Sequence, residues 1–473
     1  MLAAHYPVTA RAIGQRDNRP TRRRIWIGLI YLVLALNVTE GAMRKWLFPG
    51  SSQLLYFAKD GVLIAAYVLF LFARPFRGTD RTKALTIIYL LAAIVVCLDA
   101  FNPNLGSLIV GIFGIKCYLL YVGLIYLGAQ FFDDWKSFLR FIRWQVIIAI
   151  PICLLGIAQF GSPADSQINR YAAPDEQVVA TFGTDATVRI TGPFAYITGH
   201  VFFILVSIAL AAGLLGTSRR RSDYLFSIAA LVLCVGNIWM SGSRSAGALS
   251  VLLVGAVLAW FGFQQNRVAL RLRTLLVVAI ALAVFTTTTW FNKAYNAYLD
   301  RIETSDDELV DRVFQHHDVF GLILDYSGLT GYGTGITHPG AAALEKGLGL
   351  KPSEPVPLFE AEYARVLVEL GWIGAFFWYL LRIIVVLAIW KVYRELRTAE
   401  LRLWAFIILS VHLITLNAAV VLNHTFAIYY WFLAGIAFGL PRLEAHELRT
   451  TSLPAYQRVR SPMTPAFARE VRA

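Results

Sequence analysis

Six arginines stand out on segments that the charge bias assigns to the outer half: Arg44, Arg170, Arg189, Arg244, Arg312 and Arg365. A guanidinium is a planar, permanently charged fork that clamps phosphate or carboxylate oxygens in pairs. Arg244 lies in Ser241-Gly242-Ser243-Arg244-Ser245, a tight turn between two apolar runs. One cation among three hydroxyls and a glycine, followed by the amides of a helix start, makes an anion cradle to which Ser243 would contribute. The structural alternative is an arginine reaching for lipid phosphate. Arg189 opens Arg189-Ile190-Thr191-Gly192-Pro193-Phe194, just before a run whose first turn holds Pro193. Anion binding and structural pairing are equally open to it.

Carboxylates form a second constellation. Glu362, Arg365 and Glu369 are spaced i, i+3 and i+7, so one helical face presents carboxylate, guanidinium and carboxylate, with Glu360 just before it. Such a set can hold a sugar, take a proton from a hydroxyl, or close a salt bridge. Glu369, well inside the apolar run, is expected to pair with Arg365. His338 is the histidine to test as a base. His200, His412 and His424 read as isolated, and the adjacent His316 and His317 point apart on a helix. Glu40, Arg44 and Lys45, with Lys59-Asp60, read equally as mutual ion pairs or as ligand contacts. Gly331-Tyr332-Gly333-Thr334-Gly335 follows no strand and opens no convincing helix, which makes a nucleotide loop a poor reading. Asp306-Asp307 sits in a generic acidic stretch, and Cys97, Cys117, Cys153 and Cys234 show no CxxC spacing. Neither a metal nor a cofactor is expected.

These side chains must be positioned by helices in a bilayer. The chain is 57% hydrophobic and 15% charged, too apolar for the surface of a soluble 473-residue protein. Its apolar residues come in runs of about 17–25, the length that crosses a membrane. About twelve such runs are readable with a transfer-scale window: 25–39, 54–73, 84–98, 105–131, 138–160, 192–216, 224–240, 246–263, 272–290, 363–390, 403–421 and 426–440. The expected fold is an all-α polytopic membrane protein. Most of the 43 basic residues fall in alternate connections, including Arg22-Arg23-Arg24 and Arg219-Arg220-Arg221. That bias puts both termini in the cytoplasm and accounts for the net charge of +13 without nucleic acid.

The expected organisation is a cytoplasmic basic arm at 1–24, a membrane domain at 25–290 with an outer loop at 161–191, and a large periplasmic cap loop at 291–359 between the ninth and tenth spans. A second membrane section at 360–440 and a cytoplasmic tail at 441–473 complete it. The cap loop is too long for a connector. Its stretch 313–324 has amphipathic helical spacing, and Lys351-Pro352-Ser353-Glu354-Pro355-Val356-Pro357 reads as extended.

The Ser-Gly-Ser-Arg-Ser-Ala turn, the long loop before the last spans and Glu369-Leu370-Gly371-Trp372-Ile373-Gly374 resemble the O-antigen ligase and repeat-unit polymerase superfamily. Glu40-Gly41-Ala42-Met43-Arg44-Lys45-Trp46, Lys59-Asp60, Phe101-Asn102-Pro103, Gln159-Phe160, Asn169-Arg170-Tyr171 and Arg189-Ile190-Thr191-Gly192 are similar to an exopolysaccharide-associated branch. The resemblance runs from about residue 25 to residue 440, and the order of these short motifs carries it. It implies a GT-C-like fold and metal-independent, inverting glycosyl transfer at the outer face of the bacterial inner membrane. The implied partners are an undecaprenyl-pyrophosphate-linked oligosaccharide, a glycan acceptor, the bilayer and other polysaccharide-export proteins. A departing diphosphate needs fixed positive charge; Arg244 and Arg189 are the expected clamp, with Arg170, Arg44 and Arg365 assisting. Where the ligases carry a His-Asn pair after the big loop, this chain has Glu360-Ala361-Glu362, so Glu360, Glu362 and His338 are the candidate catalytic groups. The competing readings are a glycolipid or anion transporter, for which Lys116 and Arg382 are the main intramembrane charges, and a non-catalytic subunit of an export complex.

Overall fold

A computed structural model describes residues 19–73, 80–172, 179–183, 186–218, 220–263, 286–303, 323, 326–357, 359 and 361–452. The protein is an all-α polytopic membrane protein. Among the described residues, eight helices are long and apolar enough to cross a bilayer. They fall on the expected runs: α1 (Arg19–Ala42), α2 (Ser52–Ala73), a broken span made of α4 (Leu108–Leu119) and α5 (Leu124–Gly128), α6 (Trp135–Phe160), α7 (Ile197–Thr217), α8 (Arg221–Met240), α12 (Glu362–Glu395) and α14 (His424–Ser452). The runs at 84–98, 246–263 and 403–421 give α3 (Asp80–Asp99), α9 (Arg244–Phe263) and α13 (Ala399–Ile414). The run at 272–290 lies largely outside the described residues, as does the expected helix at 313–324. Two further helices, α10 (Thr289–Glu303) and α11 (Pro339–Leu348), belong to the long connection.

Burial ranks the spans. In α7 and α14, 89% and 83% of the apolar window is buried, against 28% in α2, so the first two form the centre and α2 the lipid-facing margin. Trp26, Trp378, Trp404 and Trp431 fill the core. Helices α5 and α14 approach closely where Gly128 faces Gly435: a Cβ on Gly128 would stand 2.7 Å from the Phe432 carbonyl.

Helix α12 is broken inside the membrane region. Gly371 has φ +63° and ψ −171°, a conformation open essentially to glycine alone. The break frees backbone groups that lipid cannot satisfy. The glycine-rich segment before α11 satisfies them: the Trp372 and Ile373 amides donate to the carbonyls of Gly328 and Leu329 at 3.2 and 3.3 Å. In return the Tyr332 and Gly333 amides donate to Val368 and Glu369 at 2.8 and 2.9 Å. Gly331–Gly335 is thus the counterpart of a helix break. Asn102 anchors it from the α3–α4 turn by donating to the Gly331 carbonyl at 3.0 Å. The proline-broken stretch docks on the same turn, the Glu354 amide donating to Asn104 O at 2.9 Å.

Candidate functional site

The ends of α1, α3, α6, α8 and α13 and the starts of α2, α4, α7, α9, α12 and α14 gather at one end of the bundle, where described parts of the long connections bond to them. The motifs singled out in the sequence assemble there in three neighbouring groups.

The first is built on Gln159, buried at the end of α6. Its Oε1 accepts from the amides of Thr191 and Gly192 at 3.1 and 2.7 Å, and its Nε2 donates to the carbonyls of Ile168 and Gly192 at 2.9 and 3.1 Å. Lys45, buried in the π-helical turn Met43–Leu47, donates to Thr191 Oγ1 and Gly192 O, both at 2.8 Å. Asn169 ties its own loop back to Pro163 O at 2.8 Å. This bonding fixes the segment that carries Arg189. Arg189 Nε donates to the Ser241 carbonyl at 2.9 Å, so Arg189 rests on the turn that bears Arg244. Gly242 holds that turn at φ +61° beneath the Phe182 ring of a short ribbon, β1 (Thr181–Phe182) against β2 (Thr187–Val188). Ser243 Oγ lies 3.4 Å from the Ala246 amide, as an α9 cap would. Arg170 is exposed on the neighbouring loop.

A second group surrounds Tyr56. Arg44, Lys59 and Lys116 lie 5.3, 5.2 and 4.1 Å from its ring centroid, three cations around one aromatic ring. Glu40 pairs with Arg44 at 2.9 Å and with Lys59. Asp60 accepts from Tyr121 OH at 2.6 Å and pairs with Lys116 at 3.0 Å. Arg44 Nε also donates to Ser52 Oγ, which donates on to Ala172 O. Three cations against two carboxylates leave this partly buried group with excess positive charge. His424 Nδ1 meets both Tyr56 OH at 2.8 Å and Lys116 Nζ at 3.2 Å.

His338 stacks on His424, the ring centroids 5.6 Å apart. Its Nδ1 accepts from the Gly340 amide at 2.9 Å, capping α11, so in the neutral ring the proton sits on Nε2. Burial, followed by the charges of Lys116 and Arg365, lowers its pKa to about 3. Its Nε2–H faces the Leu422 carbonyl without a well-formed hydrogen bond. Cys117, His338 and His424 bring three donor atoms within 4.8 Å of one another. A metal there would need lone pairs, yet His338 spends its own on Gly340 and His424 Nδ1 faces an ammonium.

The third group holds the carboxylates of α12, and it is a fastening. Glu369 accepts from the Gly335 amide at 3.0 Å, the Thr337 amide at 3.1 Å and Thr337 Oγ1 at 2.6 Å. Arg365, expected opposite Glu369, instead donates to the carbonyls of Thr337, at 2.9 Å, and Phe359. Glu362 is buried and accepts from the Val420 and Val421 amides at 3.0 and 2.9 Å, with Arg382 at 3.7 Å. Glu360 and Arg312 lie outside the described residues. The structure therefore joins Arg189 to the Arg244 turn and Arg44 to Lys59, Lys116 and both histidines. Sequence reasoning missed the Lys116–His424 contact and the role of Gln159. A lone glutamine closing an apolar helix was the available signal for the latter.

Residues 228–379 match a family model described as O-antigen ligase. The matched stretch includes the Arg244 turn, His338 and the broken part of α12, and it supports assigning this multi-pass membrane protein to the O-antigen ligase superfamily. No curated protein matches the chain.

Proposed function

We propose that this superfamily protein is a membrane glycosyltransferase that polymerises or ligates glycan carried on a polyprenyl diphosphate. The reading places the loop-covered end at the periplasmic face of the inner membrane, both termini in the cytoplasm, about twelve spans in all, and the connection 291–359 as a periplasmic cap. In the reaction an acceptor hydroxyl oxygen bonds to the anomeric carbon from the face opposite the diphosphate. The anomeric carbon–phosphate oxygen bond breaks, the hydroxyl proton leaves to a base, and polyprenyl diphosphate departs.

The observation that supports this reading is the bond from Arg189 Nε to the Ser241 carbonyl, which seats one expected clamp arginine on the turn that bears the other. Fixed guanidinium charge where a diphosphate leaves lowers the barrier without reorganisation, and no metal is required. Arg44 and Arg170 stand on the adjoining elements. His338, with its lone pair committed and its proton on Nε2, serves as a donor to a substrate oxygen rather than as a base. Glu362 serves as a fastening, and Glu360 is the carboxylate left for proton transfer.

Purified protein in liposomes with polyprenyl-diphosphate repeat units should lengthen them or pass them to an added acceptor glycan. Arg189→Ala and Arg244→Ala should each lower kcat by about 10²–10³. Glycolipid crossing the bilayer with no new glycosidic bond would instead establish a transporter, and full activity in Arg244→Ala would remove the clamp.

A further inference from the structure

Helix α12 carries a buried ion pair that the proposed reaction does not use. Glu362 stands before the break at Gly371 and Arg382 beyond it, and both side chains are fully buried. Each is only partly bonded. Arg382 Nη2 donates to the Thr415 carbonyl at 2.8 Å, and both terminal nitrogens reach the Ala418 carbonyl at 3.3 Å. Glu362 spends Oε1 on the Val420 and Val421 amides. Arg382 Nε and Glu362 Oε2 have no hydrogen-bond partner among the described residues. The same holds for the hydroxyl of Tyr430 on α14, whose ring centroid lies 5.2 Å from Arg382 Cζ. The two charged groups stop 3.7 Å apart, too far for the paired hydrogen bonds that a guanidinium and a carboxylate make when they touch.

We propose that an ordered water molecule is bound between Glu362, Arg382 and Tyr430. It accepts from Arg382 Nε, donates to Glu362 Oε2 and makes its third bond with the Tyr430 hydroxyl, the complement typical of a buried water. Charge selects this ligand. One permanent cation and one carboxylate leave the site without excess charge, so a metal ion would meet the guanidinium and an anion would meet Glu362. A polar separation beyond hydrogen-bond reach is the spacing that water bridges. Inside a bundle in lipid, a charged pair with open bonds is costly, and the water closes them. The same pair holds the carbonyls of Thr415 and Ala418 and the amides of Val420 and Val421, so the water completes the fastening of the turn that leads into His424. The site stands whether or not the protein transfers glycan.

The full chain in nanodiscs is equilibrated in heavy-oxygen water and exposed to a brief X-ray pulse, which turns water into hydroxyl radicals where it stands. Mass spectrometry then reads the labelled side chains. Tyr430 should take up heavy-oxygen hydroxyl at least tenfold faster than Phe432, which is equally buried on the same helix but packs against Phe131 and Phe141. In Arg382→Met combined with Glu362→Gln both charges go, while the glutamine keeps an oxygen for the Val420 and Val421 amides. Labelling at Tyr430 should then fall to the level of Phe432. Labelling of Tyr430 no faster than that of Phe432 in the parent protein overturns the proposal, and that comparison needs no variant to fold. Unchanged labelling of Tyr430 in a folded double variant overturns it as well, because the water would then owe nothing to the pair.

Discussion

The Lys116 ammonium stands 3.0 Å from an Asp60 carboxylate oxygen, joining α4 to α2. Both side chains are largely buried, so neither charge is well solvated when alone. Removing one partner of such a pair strands the other and costs about 3–5 kcal/mol. Lys116→Met and Asp60→Asn should each lower the melting temperature in detergent, and the double variant should recover more than half of the summed loss. Strictly additive losses would mean that the two groups act independently.

Arg189 and the Arg244 turn should behave as one unit. A lysine at 189 keeps the charge but loses the fork, which bonds the Ser241 carbonyl through Nε and has further N–H groups for the proposed phosphate. Arg189→Lys is therefore expected to retain more activity than Arg189→Ala and yet fall at least tenfold below the parent protein. Arg189 bonds to the turn that bears Arg244, and residues in one bonded unit couple, so Arg189→Ala combined with Arg244→Ala should cost less than the product of the single losses. Steady-state kcat and KM of the four proteins decide this.

Local patterns in the sequence suffice for the eight described spans and for the turn at Ser241–Ser245, because hydropathy, glycine and hydroxyl placement act within a few residues. The pairing of Glu40 with Arg44 was legible for the same reason, being one helical turn apart. Lys116 and His424 are 308 positions apart, and no periodicity announces such a contact. Glu362, Arg365 and Glu369 lie on one helix, as their spacing predicts, but backbone partners take the place of the expected Arg365–Glu369 bridge. A helix broken at Gly371 releases amides and carbonyls that must be bonded somewhere. The segment that supplies the bonds, and that brings Gly335 and Thr337 to Glu369, is fixed only by the tertiary structure.

Gly371 should tolerate no side chain. Its φ of +63° with ψ near −171° excludes a Cβ on steric grounds, and a Cβ built there stands 2.5 Å from the Gly328 carbonyl. Gly371→Ala is expected to cost roughly 2–4 kcal/mol from strain and overpacking together. It should also loosen the 328–337 segment that pairs with the break. Limited proteolysis should show faster cleavage within 328–337, while Gly50→Ala, at a glycine whose Cβ would meet open space, serves as the control with little change.

The pH dependence of stability should carry the mark of His338. Burial and the neighbouring Lys116 and Arg365 lower its folded pKa to about 3, against 6.5 for a free imidazole. Below 6.5 the unfolded chain therefore binds a proton that the folded chain refuses, and stability rises with pH through the interval from about 3 to 6.5. The contribution is complete above 6.5 and is lost as the pH falls through that window. Asparagine caps a helix start as His338 does but does not titrate. His338→Asn should accordingly keep α11 intact while flattening the stability profile between pH 6.5 and 4, measured by thermal unfolding in detergent. An unchanged slope in a well-folded His338→Asn would show that the acid sensitivity arises elsewhere.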